Sequence, residues 1–526
     1  MDILVIFIPL LPLISAAVIG MGHLFGTLNG DTGEVTTARI ATWANTLSCL
    51  LALTLLGADL LGKNTGSISA GQWLNSGFLT IKMDFITTGF NVGLAALFSI
   101  LLTIVTRFSI NYIHREPGFH RFFFILSLFS SAMLLLVLSG NTIGTFIGWE
   151  IAGLCSYLLI AFAYDRPVAT TNATRVFVTV RIGDACFILG ICLSYTWVGF
   201  NWSDINTASI LNVTAPIQLT TGQSTSIALC FAIAAFAKSA QLPFTAWLAR
   251  AMEGPTPSSA IFYGAVMTHA GVYLIILLQP IFEHAPLVMG LFIVVGLMTS
   301  IYSFIVGLTQ TDIKSSLSYA ISGQLGLMFL ECGLGFWQLA SWHLCAHAIV
   351  RCYQVLTAPS FLNYVHGVPM KPVIPAIGGL RWAYIVSLQR FWLDPIADRF
   401  IVKPVRELGH DLTYFDDHIV DRVMGTPAST ELTISSLFKL EERIIDPQSS
   451  QDSDEFSRGS GLVGKPFQWA ADAMSWFENR LVLRGIGMDT IHAGRKLGHL
   501  ANKIEQLLLK PQYLLLCVCI ALLVAF

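Results

Sequence analysis

Residues 224–250 have the sequence STSIALCFAIAAFAKSAQLPFTAWLAR, a mostly apolar stretch long enough to cross a lipid bilayer. A membrane-spanning helix needs about 20 mostly apolar residues. Lys238 places a charge inside this stretch, and Pro243 removes a backbone hydrogen-bond donor shortly afterwards. The pattern predicts a membrane helix that is broken just after a buried lysine, which is how many transporters free backbone carbonyls beside a charge.

The composition of the whole chain indicates a membrane protein. Of its 526 residues 54% are hydrophobic and only 12% are charged, whereas soluble domains are about 25% charged. The formal net charge of -2 provides no basic surface for nucleic acid. A soluble globular enzyme, a disordered chain and a nucleic-acid-binding protein are therefore excluded.

Eleven apolar segments precede residue 360, and they predict an all-α polytopic membrane protein. Only helices and closed barrels satisfy their backbone in lipid, and these segments are too long for barrel strands. With one further C-terminal helix, the sequence predicts about 12 transmembrane helices, of which the seventh is broken. The eleven segments lie near residues 3–27, 38–62, 87–111, 120–140, 142–163, 173–198, 224–250, 257–279, 286–309, 312–333 and 335–358.

Charged residues divide the chain into a membrane bundle over 1–360, a polar extension over 371–510 and a last membrane helix over 511–526. The extension is predicted to form cytoplasmic or interfacial amphipathic helices. Arg381 near the middle of 373–393 favours a half-inserted helix there over a full span. Lys and Arg cluster in alternate loops, which predicts a bacterial inner-membrane protein with a periplasmic N-terminus and a cytoplasmic 360–510.

Ionisable residues inside membrane helices are expensive, so each is a candidate for function. Glu150 and Lys238 are expected to pair and to pass protons as the pair opens and closes; a static salt bridge is the alternative. Arg181 and Asp184 lie three residues apart and share a helix face. Arg181 is expected to clamp Asp184 or to compete for Glu150.

A second candidate group lies in the segment 335–358. His343, His347 and Arg351 follow one another at intervals of four residues, so they line one stripe of a helix. Histidine titrates near neutral pH and can relay protons. Two histidines at this spacing could also bind metal, but no third ligand is near in sequence, and satisfied core histidines are the simplest alternative.

Weaker candidates are His269, Asp312, Lys314 and Glu331. Asp312 has the simpler interpretation of a helix cap. The ten cysteines lie mostly in apolar stretches without metal-ligand spacing, so they are interpreted as small core residues. The chain has no zinc or redox motif of its own. No cofactor is therefore expected in it, and chemistry is expected in a partner.

Several of these motifs resemble the proton-translocating antiporter-like subunits, a family that includes the L subunit of respiratory complex I and the large subunit of Mrp antiporters. The resemblance covers residues 1–360. Residues 388–408 resemble the stretch that leads into the lateral helix of the L subunit. The motifs are GWEIAGLCSYLL (148–159), RIGD (181–184), AKSAQLP (237–243), GPTPSSA (254–260), AGVYL (270–274) and TDIKSSLSYA (311–320).

The resemblance implies roles for matching positions. Glu150 and Lys238 would form the coupled ion pair of the first half-channel, and Asp184 would modulate it. His343 and His347 would belong to a central hydrated axis. The family usually has histidine at the position of Tyr263 and lysine at that of Arg351, and arginine is a poor proton carrier.

The chain also departs from the L subunit in length. That subunit has about three more helices between the equivalents of the eleventh helix and residue 388, whereas the interval here is only about 30 residues. The shortened form is similar to the membrane subunit of DAB-type inorganic carbon accumulation complexes. The resemblance implies a large cytoplasmic partner that contains zinc and resembles a β-carbonic anhydrase.

The sequence thus predicts a subunit that is not itself an enzyme and that conducts a cation, which we expect to be the proton. This ion flow would energise the conversion of CO2 to bicarbonate by that partner. One alternative is a proton-pumping subunit of respiratory complex I or of an Mrp cation/proton antiporter. An alternative of another class is a passive membrane anchor for a cytoplasmic enzyme.

Overall fold

The structure, a computed structural model, consists mainly of long helices. Two units divide at residue 397: the first ends at Ala397 and the second begins at Asp398. The described residues are 4–28, 30–63, 66–77, 79–199, 202, 219–265, 267–310, 312–358 and 381–415, with 469, 473–474, 498, 500 and 502–503. The predicted helix over 511–526 and most of the predicted extension over 371–510 lie outside these residues.

The first half of the bundle contains six long helices and one hairpin. The hydrophobic segments predicted these helices, although the second begins well before the predicted residue 38. The elements are α1 (Leu4–Leu24), α2 (Gly30–Leu60), β1 (Ser67–Ser76), β2 (Leu79–Ile86), α3 (Gly89–Tyr112), α4 (Phe119–Leu138), α5 (Thr142–Ile160) and α6 (Pro167–Trp197).

The second half contains shorter and interrupted helices. They are α7 (Thr221–Lys238), α8 (Ala246–Arg250), α9 (Thr256–Ser259), α10 (His269–Leu277), α11 (Gln279–Glu283), α12 (Pro286–Gly307), α13 (Ile313–Gly333), α14 (Trp337–Thr357), α15 (Arg381–Leu388) and α16 (Leu393–Ala397). In the second unit, the described part is a π-helical turn over Asp398–Val402 followed by α17 (Lys403–Phe415).

Among the described residues, seven helices are long and apolar enough to cross a membrane: α1 to α6 and α12. The segments predicted at 224–250, 312–333 and 335–358 also contain helices of 18 to 21 residues, in α7, α13 and α14. These three are more polar because they carry the candidate ion-path residues. The protein is therefore a multi-pass helical membrane protein, and the predicted total of about 12 spans stays a prediction.

The hairpin is a local addition to the predicted all-α bundle, and it lies between the segments 38–62 and 87–111, where the sequence predicted no element. β1 and β2 pair antiparallel. The α4–α5 loop holds the hairpin: Gly140 N donates to the Asp84 carbonyl over 2.6 Å, and Asn141 Nδ2 to the Lys82 carbonyl over 2.7 Å. Most side chains of β1 are exposed, so no strong hydrophobic alternation marked this strand in the sequence.

Close helix packing assembles the core. α1 packs on α4, α4 on α5, α6 on α7 and α12 on α13. Gly296 of α12 faces α13 so closely that a Cβ there would lie 2.8 Å from the Leu330 backbone nitrogen. Without side chains to separate them, the two backbones approach each other, which is typical of membrane helix pairs.

Candidate ion path at two broken helices

The predicted break in the segment 224–250 is present and begins where the sequence placed it. α7 ends at Lys238, and Ala240 has a left-handed φ of 51°. The carbonyls freed by the break are taken up locally. Trp247 Nε1 donates to the Ala237 carbonyl over 2.8 Å, and Ser322 Oγ donates to the Ala240 carbonyl over 3.2 Å.

Lys238 is fully buried at this break. Its ammonium donates to the Trp149 carbonyl over 3.0 Å and lies 4.9 Å from the centre of the Trp149 ring. A Cβ at Gly153 of α5 would lie 3.2 Å from Lys238 Nζ, so a glycine at that position leaves room for the lysine. α5 therefore forms one wall of the lysine's site.

The predicted direct pair of Glu150 with Lys238 is wrong in this structure. Glu150 instead contacts Arg181 of α6, which also lies 3.4 Å from Asp184 Oδ2. Arg181 thus contacts both of the carboxylates considered as its partners, and its role stays a prediction. The reason is geometric: a guanidinium has several donors in a fixed fork and can serve two carboxylates, whereas the Lys238 ammonium is bound to a backbone carbonyl.

Trp149 joins the two halves of this group, and sequence reasoning missed it. Its indole Nε1 donates to Asp184 Oδ1 over 2.7 Å, while its carbonyl accepts from Lys238. The only signal for it was its position beside Glu150 in the motif GWE. We call this group the lysine network; its members are Glu150, Arg181, Asp184, Trp149 and Lys238.

A second group forms where the predicted helix 257–279 is interrupted. The helix is not continuous: a π-helical turn over Ala260–Ala265 precedes α10, which begins at His269. His269 Nε2 and His347 Nδ1 lie 2.8 Å apart, and both side chains are buried. The weak candidate His269 is therefore in direct contact with the predicted stripe on α14.

The stripe on α14 is present as predicted. Arg351 Nε donates to His347 Nε2 over 3.3 Å, and the rings of His343 and His347 are 6.2 Å apart. Because arginine is always a donor, His347 Nε2 must accept, so its proton lies on Nδ1 and faces His269. The proton of His269 then lies on Nδ1, a buried atom without a hydrogen-bond partner among the described residues.

His343 connects this pair to α13. Its Nδ1 lies 2.9 Å from Glu331 Oε1, and its Nε2 lies 3.0 Å from Gln324 Oε1. Sequence reasoning missed Gln324, although it lies seven residues before Glu331 and hence near the same helix face. We call this group the histidine network; its members are His269, His347, His343, Arg351, Glu331 and Gln324.

The two networks meet at adjacent residues. Ser239, which follows Lys238, donates from Oγ to the carbonyl of Thr268, which precedes His269, over 2.7 Å. Thr268 Oγ1 is buried without a hydrogen-bond partner among the described residues. The two helix breaks thus bring the lysine and the histidine pair to one place in the bundle.

The remaining predicted residues have structural contacts. Asp312 caps α13, where its Oδ2 accepts from Ser315 N over 2.9 Å. Lys314 Nζ donates to Thr256 Oγ1 over 2.6 Å. Tyr263 is buried and donates to the Leu248 carbonyl over 2.6 Å, so it connects the π-helical turn to α8. None of these three belongs to either network as described.

Neither network forms a metal site. Within the residues that the structure describes, no three His, Cys, Asp or Glu side chains come together in an arrangement that could hold a metal ion. In particular, His347 faces another histidine and an arginine. The arrangement suits hydrogen-bonded proton exchange between side chains.

Curated relatives share this part of the chain. The chain is 34% identical over 405 residues to NAD(P)H-quinone oxidoreductase chain 5 of Synechocystis sp., and the alignment covers 74% of this chain and 58% of the relative. It is 34% identical over 400 residues to NADH-quinone oxidoreductase subunit L of Mycobacterium tuberculosis, covering 74% and 59%. The chain therefore spans less than two thirds of the length of these relatives.

Solved structures agree on the fold. The Mrp complex from Dietzia sp. superposes with a TM-score of 0.56 at 25% identity, covering 66% of this chain and 37% of that chain. The membrane-bound sulfane sulfur reductase, an archaeal respiratory membrane complex, gives 0.56 at 18% identity, covering 76% and 82%. The latter similarity concerns the fold alone.

The family match covers both networks. Residues 139–386 match the family described as NADH:quinone oxidoreductase/Mrp antiporter, TM. This range begins before α5 and extends into α15, so it contains Glu150, Lys238 and all three histidines. Residues 139–386 of this membrane protein, which hold both networks, are thus similar to the NADH:quinone oxidoreductase/Mrp antiporter transmembrane family.

Proposed function

We propose that the chain is a proton-conducting subunit of a multisubunit membrane complex of the respiratory or Mrp class. The observation that carries this proposal is the fully buried Lys238 at a helix break, where the lysine network and the histidine network meet through Ser239 and Thr268. Relatives named as quinone oxidoreductase subunits, and the similarity to an Mrp complex, support this class of assembly.

The proposed path uses the two networks in series. Arg181 stays charged and holds Glu150 and Asp184 in place. The negative charge of these carboxylates then favours the protonated form of Lys238. A proton released by Lys238 reaches His269 by way of the hydroxyl groups of Ser239 and Thr268, because a peptide carbonyl accepts a hydrogen bond but cannot pass a proton on. His347 and His343 then pass it towards Glu331, which requires the His269–His347 hydrogen bond to reverse its donor and the rings of His343 and His347, 6.2 Å apart, to turn towards each other.

The proposed orientation of the chain in the membrane is inferred from the charges of its loops. The N-terminus is placed in the periplasm of a bacterial inner membrane, and 360–510 in the cytoplasm, because Lys and Arg favour the cytoplasmic side. The chain supplies no cofactor of its own in this proposal, and any catalytic chemistry belongs to a partner subunit.

The test measures proton flux into liposomes that contain the purified complex. Glu150→Gln and Lys238→Ala should each assemble normally and lose most of the flux, since each removes one charge of a balanced set of two acids and two bases. His114→Gln is the control, because His114 pairs with Glu34 outside both networks. Full flux in both network variants contradicts conduction through them, and a wild type that conducts no protons supports a passive anchor.

A second candidate function is the energising of inorganic carbon accumulation. The observation that favours it is the short connection between α14 and α15, residues 358–380, which cannot hold three more membrane spans of about 20 residues each. The proposed partner is then a large cytoplasmic protein that contains zinc and resembles a β-carbonic anhydrase.

Identification of the co-purifying subunits separates these two functions. A zinc protein with Cys, His and Asp ligands, together with failure of Glu150→Gln cells to grow in air-level CO2, supports carbon accumulation. Co-purification with redox subunits or with small Mrp proteins supports the respiratory or Mrp function and contradicts the carbon function.

A further inference from the structure

An unassigned ion cluster lies at the end of the broken seventh helix. Asp394 Oδ2 lies 2.8 Å from Arg250 Nη2 and 3.1 Å from Arg390 Nη1. Arg250 is the last residue of α8, whereas Arg390 and Asp394 belong to residues 381–397, which we call the post-bundle segment. We call α8 (Ala246–Arg250), the part of the broken helix that follows the break, the short arm. One carboxylate therefore connects the post-bundle segment to the short arm.

Other contacts seat the post-bundle segment on the bundle. Ser387 Oγ lies 2.9 Å from Thr309 Oγ1 and donates to the Ile305 carbonyl over 3.0 Å. Leu393 packs against the buried cluster formed by Ala249, Tyr302, Val306 and Tyr319. Ser387 is itself buried, so this seat is a defined packing site and not a loose surface contact.

The backbone beside Asp394 is strained. Arg390, Phe391 and Trp392 all have φ between 53° and 55°. Three successive residues with side chains in the left-handed region are unfavourable, because Cβ crowds the following carbonyl. Such a conformation persists only where the surroundings determine it. Asp394 follows this turn and contacts both Arg390, its first residue, and Arg250 of α8, so one carboxylate connects the turn to the bundle.

The short arm is in turn connected to the lysine network. Trp247 of α8 donates to the carbonyl of Ala237, the residue before Lys238, over 2.8 Å. Tyr263 donates to the Leu248 carbonyl of the same arm. A shift of Arg250 therefore reaches the backbone beside Lys238 through an arm of only five residues.

We propose that Asp394 is a positioning residue of the ion path: by holding Arg250, it fixes the short arm and thereby the backbone around Lys238. Asp394 itself takes up no transported proton in this account. The expected effect on flux rests on the proposed proton conduction. Whether Asp394 holds the post-bundle segment through Arg250 can be tested without measuring flux.

The flux test is a double-mutant cycle in the full complex. Arg250→Gln and Asp394→Asn should each lower proton flux about fivefold, with assembly unchanged. The double variant should be no worse than Asp394→Asn alone, because that variant already removes the one contact that Arg250→Gln removes. Arg250→Lys keeps the charge and should restore most of the flux, which a purely structural packing role would not explain.

A matched control comes from the neighbouring ion pair of Arg166 with Glu253, 3.1 Å apart, in which Glu253 follows the same arm. Glu253→Gln should leave the flux close to that of the wild type. If Asp394→Asn leaves it unchanged in a wild type that conducts, or if the two losses multiply in the double variant, the inference is overturned.

A second measurement keeps this result separate from the proposed function. Ser387→Cys places a thiol in the buried seat, and its reaction with a maleimide is followed by mass spectrometry of the peptide around residue 387. Adding Asp394→Asn should speed labelling about tenfold if the carboxylate holds the segment, and adding Glu253→Gln should not. Equal labelling in all three overturns the inference whether or not the wild type conducts protons.

Discussion

The lysine network and the histidine network meet at one place but are built on different principles. The first contains two carboxylates and two cations in contact through one arginine and one tryptophan. The second contains two hydrogen-bonded groups: Arg351 donates to His347, which contacts His269. His343 contacts Glu331 and Gln324, and its ring lies 6.2 Å from that of His347. Charge balance dominates the first, and the order of donors and acceptors dominates the second.

This difference teaches how one bundle can separate two tasks. A buried ion set resists any change of net charge, because an uncompensated charge in a low-dielectric interior is costly. A histidine series needs no net charge to pass a proton, since each ring can accept on one nitrogen and donate from the other. The first network is thus suited to hold a proton on Lys238, and in the proposed path the second carries it once it is released.

The largest expected effect comes from Arg181→Gln, which removes the cation that both carboxylates of the lysine network share. Asp184 is buried, and leaving a buried carboxylate without its cation costs about 3 kcal/mol, so we expect a lower melting temperature as well as a loss of flux. Arg107→Gln is the control, because Arg107 is an exposed arginine on α3. If Arg181→Gln melts and conducts like this control, charge balance does not govern the first network.

A smaller effect is expected at the wall of the lysine site. In Gly153→Ala the new methyl group would lie 3.2 Å from Lys238 Nζ, which should displace the ammonium and cost about 1 kcal/mol. We expect a partial loss of flux, measured in liposomes. Gly93→Ala is the matched control, because a Cβ there meets nothing within 4 Å; equal flux in the two variants would show that the lysine's position is not critical.

The smallest effect is expected at Asp312, which lies outside both networks. Asp312→Ala removes the cap of α13 and should lower stability by about 1 kcal/mol, while the flux stays unchanged. Asp312→Asn keeps a capping oxygen and should recover most of that stability. A flux that falls equally in both variants would instead place the Asp312 carboxylate on the ion path.

The sequence predicted much of this architecture from local signals. The apolar segments located the long helices, and Lys238 with Pro243 located the broken one. The spacing of His343, His347 and Arg351 placed them on one stripe, and RIGD placed Arg181 beside Asp184. These features depend on helix periodicity, which is readable within a few residues.

Contacts between distant residues could not be obtained in this way. The pairing of Glu150 with Arg181 instead of Lys238 depends on how α5, α6 and α7 pack. The Arg250–Asp394 contact joins residues 144 positions apart. No local pattern records such distances, and the weak alternation of the hairpin strands likewise gave no signal for them.

The central claim, that the two networks are consecutive parts of one proton path, is tested most directly by proton flux through Lys238→Ala, His347→Gln and the double variant, reconstituted side by side. Two segments in series predict that each single variant alone loses nearly all of the flux and that the double variant adds nothing further. If each single variant retained about half of the flux and only the double variant abolished it, the networks would be independent routes, and the claim would be wrong.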